Sequence, residues 1–284
     1  MKKLFILLAW IALIPTFVLA QERDEFGYNT NSLRPIRIHD QLFRKTLWWQ
    51  IDLREKMNRP MNAKNMEITR VIIEAVKGGI LRPYVNDSLT TRMSYEDFIK
   101  KITVTSEGDG LTEEERALGF GVEDDVGGGW VGDEFGPNSP SSSGPVEYLP
   151  GKDLYLLELK EDLIFDKKRS RLYHDIQSIT IILPADRNNK SVDIPIATFS
   201  YKELVENVFK GNDKAIWFNN ANPKEHRNLA EAFELRLFTA HLVKYQNSED
   251  ATIEDIFGDQ KAAMYASLQI EYALLDYETQ LWEY

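Results

Sequence analysis

Residues 105–150 cannot be absorbed into any packed core. This stretch holds eleven acidic side chains against one base, Arg116, and ten of the sixteen glycines, including the run Gly127-Gly128-Gly129. It closes on Ser139-Pro140-Ser141-Ser142-Ser143-Gly144-Pro145. Such a composition buries too little apolar surface to offset the conformational entropy of its backbone, so it reads as a disordered acidic linker. Its alternating acids and glycines raise calcium binding as a rival reading, but the spacing fits no EF-hand loop. The folded structure must then come from residues 21–104 and 151–284, read as an N-terminal α/β part and a C-terminal α+β part, each burying its own core.

Residues 1–20 read as a secretory signal peptide. Lys2 and Lys3 precede an apolar run interrupted by Pro15 and Thr16, and the segment ends in Val18-Leu19-Ala20, a small-residue cleavage site. The run is too short and too broken for a spanning helix. Export would place the chain in an oxidising compartment, yet it has no cysteine, so packing alone must hold it and no thiol is available for an acyl anchor. Any hold on a membrane must pass through a partner. The formal charge is −11, nearly all of it in the acidic stretch. A near-neutral body lacks the clustered Lys and Arg that nucleic acids and anionic lipids require.

Elsewhere the pattern predicts alternating short elements. Met66, Ile68, Val71, Ile72, Ala75 and Val76 fall at helical spacing before a Gly78-Gly79 stop, and Ser94 caps a second helix bearing Phe98, Ile99 and Ile102. Residues 82–87 read as a short strand and turn. Two strands are expected over 154–165 and 176–183 around the break Asp166-Lys167-Lys168-Arg169-Ser170, and Pro195 makes 193–199 an edge strand. Asn222-Pro223 opens an expected helix running to about Tyr245, Thr252 opens a turn ending at Gly258, and a last helix runs from Asp259 for more than twenty residues. The fold class expected is α+β: a small mixed sheet with packed helices, two folded parts and a helical C-terminal third.

Chemistry-bearing motifs are scarce. His39, His174, His226 and His241 show no metal-ligand spacing, and neither a nucleophile elbow nor a phosphate loop is present. No catalytic residue, cofactor or metal site is expected. The acid pairs Asp124-Asp125, Glu161-Asp162 and Glu249-Asp250 read as solvated charge; an acid-catalysed hydrolase would need one of them partly desolvated. Trp48-Trp49, Trp217 and Trp282 admit a carbohydrate- or ligand-binding module. The adjacent rings of Trp48 and Trp49 face apart on a strand or about 100° apart on a helix, which leaves one in the core and one partly exposed. With Arg34, Arg37 and Arg44 they form a candidate partner-binding surface, since interface centres favour Trp and Arg.

The series Leu33-Arg34-Pro35-Ile36-Arg37-Ile38-His39-Asp40, Lys45-Thr46-Leu47-Trp48, Ile51-Asp52-Leu53-Arg54-Glu55-Lys56 and Asn58-Arg59-Pro60 resembles the opening of the gliding-motility GldN/PorN family. The likeness continues through the first helix, the turn at Tyr84, Asn86, Asp87 and Ser88, the Phe165–Ser170 motif with the strand over 176–183, and Asp255-Ile256-Phe257. It departs at Ile216-Trp217-Phe218 and Asn219-Asn220-Ala221-Asn222, and residues 262–284 do not match closely. The resemblance implies a non-enzymatic periplasmic subunit of the type IX secretion and gliding apparatus of the Bacteroidota. It further implies a ring with an outer-membrane lipoprotein of the GldK/PorK type and contact with a trans-periplasmic shaft protein of the GldM/PorM type.

Overall fold

The computed structural model describes residues 27, 29–104, 146–188, 192–222 and 224–282. The segment expected to be a signal peptide, nearly all of the acidic stretch with its calcium-loop alternative, and Pro223 lie outside them. In chain order the elements are β1 (Gln41–Asp52), α1 (Ile68–Lys77), α2 (Tyr95–Ile102), β2 (Thr103–Val104), β3 (Val146–Glu147), β4 (Leu156–Asp166), β5 (Arg171–Leu183) and β6 (Ile194–Ser200). There follow α3 (Tyr201–Glu203, continuing as a π-helical turn Leu204–Phe209), β7 (Ile216–Trp217), β8 (Arg227–Asn228), α4 (Leu229–Glu234), β9 (His241–Tyr245), α5 (Ile253–Phe257) and α6 (Gln260–Trp282).

Five strands form the main sheet in the order β6-β5-β4-β1-β9. The α+β class stands, with the correction that every pairing in this sheet is antiparallel rather than mixed. The reason is local: β4 and β5 are joined by the tight turn at Asp166–Ser170, and a short turn can only return the chain antiparallel. Asp166 builds that turn by accepting from the backbone N–H groups of Lys168 and Arg169 at 2.8 and 3.2 Å, with Ser170 at φ 49°. Strand β6 lies at one end of the sheet order, as Pro195 requires, and Tyr84 bridges its outer side through reciprocal hydrogen bonds with Thr198.

Residues 21–104 and 151–284 do not close separate cores. Strand β1 sits inside the sheet between β4 and β9, and Ile51, Leu53, Ile68 and Ile72 pack in one cluster with Leu157, Ile179, Phe199 and Phe209. A long apolar strand with two free edges cannot stand alone, so it pairs with whatever the rest of the chain presents. A smaller cluster joins Leu47, Leu163 and Leu242 of the sheet to Ile253, Ala263 and Ala266 of α5 and α6.

The helices Ile68–Lys77 and Tyr95–Ile102 agree with their signals. Gly79 leaves α1 at φ +70°, and the Ser94 hydroxyl accepts from the Asp97 N–H at 3.1 Å. The helix expected over 222–245 is corrected. Among the described residues of that span only Leu229–Glu234 is helical, capped by the Asn228 side chain, and Arg236 at φ 50° turns the chain into β9. The apolar spacing of Leu229, Phe233, Leu237 and Ala240 imitates a helix. Pairing the open edge of β1 wins instead, because it satisfies backbone groups on both strands. Beyond residue 222 the described residues are therefore helical only in α4, α5 and α6.

Candidate functional site

Successive side chains of β1 point to opposite faces of the sheet, so Trp48 and Trp49 head two different environments. Lys160 of β4 and Lys244 of β9 stand directly across from Trp48 on either side. Their ammonium groups lie 5.4 and 4.7 Å from the centre of the indole, whose N–H donates to Asp87 at 2.9 Å. Further along this face Thr46 donates to Asp162 at 2.6 Å and Arg44 forms an ion pair with it at 2.7 Å. Asp175, across from Asp162 on β5, accepts from Ser32 and Gln177 at 2.8 and 2.7 Å. Burial pushes the Asp175 carboxyl up to about 6, and the neighbouring Asp162 charge adds to this against the hydrogen bond from Ser32.

All of these groups on the Trp48 face except Ser32 and Asp175 line a cleft of about 410 Å³. Its charges are paired one against one: Arg44 with Asp162, Lys244 with Asp250 at 2.6 Å, and Lys160 with Asp87 at 3.5 Å. Trp48 is only 8% exposed. A sugar stacks on an open indole face, and the lysines cover this one, so the cleft is a self-neutralised polar wall.

The opposite face holds a buried ionic node. The Glu161 side chain has no solvent exposure, accepts from the Trp49 indole at 2.6 Å, bonds His174 Nδ1 at 3.2 Å and receives the Arg236 guanidinium. Burial works to raise the Glu161 carboxyl, but the hydrogen bonds and charges of His174 and Arg236 outweigh it and hold the group ionised, its pKa lowered. Such a node fastens β4 and β1 to the segment between α4 and β9. The reading of Glu161-Asp162 as solvated charge is thus corrected. On an interior strand, adjacent residues enter the two faces, and each acid here is buried with its own cation.

The family model of the gliding motility associated protein GldN matches residues 36–283, from just before β1 through α6. The chain belongs to the GldN family. No curated protein matches it significantly. Within this GldN-family chain the match runs through the Ile216–Trp217 strand and residues 262–283, where the sequence resemblance was weakest.

The predicted surface of the GldN-family chain is divided. Arg34 is exposed and pairs with Glu234 at 3.0 Å. Arg37 is exposed and makes no ion pair among the described residues. Arg44 serves the Asp162 pair, Trp48 is buried, and Trp49 is partly buried against both core clusters. Sequence reasoning missed Lys160, Lys244 and Arg236, whose only local signal is their place opposite or beside the tryptophans once the strands pair, and it took Glu161 for solvated charge. The histidines disperse: His241 meets Glu55 at 3.1 Å, and the His226 ring lies tilted against Phe218 at 4.6 Å between centroids. The described residues hold no cluster of three or more His, Cys, Asp or Glu able to bind a metal.

Proposed function

We propose that this GldN-family chain is a non-enzymatic periplasmic subunit of the type IX secretion and gliding apparatus, assembled in a ring with an outer-membrane lipoprotein of the GldK/PorK type. A trans-periplasmic shaft protein of the GldM/PorM type is the second contact, and the chain reaches the membrane only through such partners. The observation that carries this reading is the family match over residues 36–283. It is supported by the export signal read in residues 1–20, by the absence of a cysteine for lipid attachment, and by charged groups that pair with one another around the sheet. Among the described residues no helix is long and apolar enough to cross a membrane.

The lipoprotein contact is proposed on the accessible part of the N-terminal stretch, where Arg34, Arg37 and the exposed Leu42 remain available while Trp48 is committed to the fold. Capture of the tagged chain from an envelope extract tests the reading. A lipoprotein should co-purify, and Arg37→Glu combined with Leu42→Glu should reduce its recovery at an unchanged melting temperature. Recovery of the chain alone, or retention on glycan without any lipoprotein, overturns it.

A further inference from the structure

Helix α6 has two apolar faces, and the sheet uses only one. Ala263, Ala266, Ile270 and Leu274 turn inward onto Leu47, Leu163 and Leu242. A second stripe made of Met264, Tyr265, Leu268, Tyr272 and Leu275 faces outward, with Tyr265 64%, Tyr272 67% and Leu275 56% exposed. Tyr265, Leu268, Tyr272 and Leu275 repeat at intervals of three and four residues, the spacing of a seam that receives a second helix. Single exposed apolar residues are ordinary, whereas a contiguous row along one helix is the mark of an interaction face.

The charges beside the stripe identify what fits it. At about 100° per residue Glu271 and Glu278 fall along one side and Asp276 along the other. Lys261, exposed in the first turn, is the one base of α6 against Glu271, Asp276 and Glu278, and from residue 262 to 284 the chain has no Lys, Arg or His. Two bases lie in the adjoining groove, Arg236 and His174, and both already bond Glu161. No base stands in the last turn of the helix, the negative end of its dipole, where cations are favoured. A second copy of this helix would set three acids and one lysine against the same set, a net repulsion, and an anionic lipid surface would be repelled in the same way.

We propose that the outward face of α6 docks an amphipathic helix of a partner protein whose apolar stripe is flanked by lysine or arginine. The apolar row supplies the buried area, and the acidic flanks select the basic partner. This goes beyond the ring assignment and does not need the lipoprotein, so the two can fail separately.

The test uses the purified chain and two synthetic helical peptides with leucines at heptad seam positions, one flanked by lysines and one by glutamates. Binding is followed by fluorescence anisotropy. The lysine peptide should bind about tenfold or more tightly than the glutamate peptide, and should weaken as salt is raised. Leu268→Glu with Tyr272→Glu should abolish binding at an unchanged melting temperature. Those substitutions add negative charge, so a merely electrostatic attachment would strengthen instead. A variant carrying Glu271→Lys, Asp276→Lys and Glu278→Lys should reverse the peptide preference, which decides the matter even if the first variant folds poorly. Equal binding of both peptides, binding of neither, attachment to phosphatidylglycerol vesicles, or self-association abolished by the stripe variant each overturns the proposal.

Discussion

Removing the Arg236 guanidinium would leave the Glu161 carboxylate buried with only Trp49 and His174 beside it. Stranding a buried charge is costly, so Arg236→Ala should lower the unfolding free energy by about 3 kcal/mol in urea titration. Arg236 also sits at φ 50°, where a side chain is strained, so Arg236→Gly should be about 1 kcal/mol less harmful than the alanine variant. Equal losses would mean that the backbone stores no strain. On the other face, the native Asp175 carboxyl titrates near 6, above the ordinary value near 4 of the unfolded chain. Folded molecules therefore keep a proton that unfolded ones have lost. This contribution is complete below pH 4 and disappears as the pH rises through 6, by up to about 3 kcal/mol. Asp175→Asn should flatten that part of the stability profile, and a profile unchanged by the substitution would remove the account. Neither residue was legible in the sequence, because a lone Arg and a lone Asp carry no mark of the strand that will lie against them.

Helix α6 offers an internal control, since its two faces differ in surroundings while sharing one backbone. Ala266→Glu would drive a charge against Leu47 and Leu163 and should cost about 2–4 kcal/mol, whereas Tyr272→Glu on the outward face should change stability by no more than about 0.5 kcal/mol. Thermal melts by circular dichroism check both, and equal effects would refute the assignment of faces. Elements with chemical punctuation were readable in advance. Ser94 and Thr252 accept from the N–H groups of Asp97 and Asp255, Gly79 and Gly258 leave their helices at positive φ, and Pro195 stands at the sheet edge. The span over 222–245 was misread because its apolar spacing suits a helix, while its actual role was set by the open edge of β1, almost two hundred residues earlier.

At the scale of the molecule, the ends of the acidic stretch meet. Thr103 pairs with Glu147 and Val104 with Val146, so the fold already holds residues 104 and 146 side by side. Replacing residues 106–144 by a short Gly-Ser turn should leave the melting temperature within a few degrees, since shortening a loop between ends already held together changes its closure entropy little. A large drop would show that the stretch contributes to the core. Because strand β1 lies between strands from beyond the stretch, residues 21–104 and 151–284 expressed apart should each lack a cooperative transition and should regain one on mixing. The α+β class, the helix caps, the turn at Asp166, the edge at Pro195 and the likeness to the GldN family all follow from neighbours along the chain, because a cap or a tight turn is completed within a few residues. Pairing across the sheet supplied the rest: the single shared core, β9 in place of a helix, Trp48 between two lysines and Glu161 buried beside Arg236. Those contacts join residues from well over fifty to almost two hundred positions apart, and no local pattern encodes which strand will arrive.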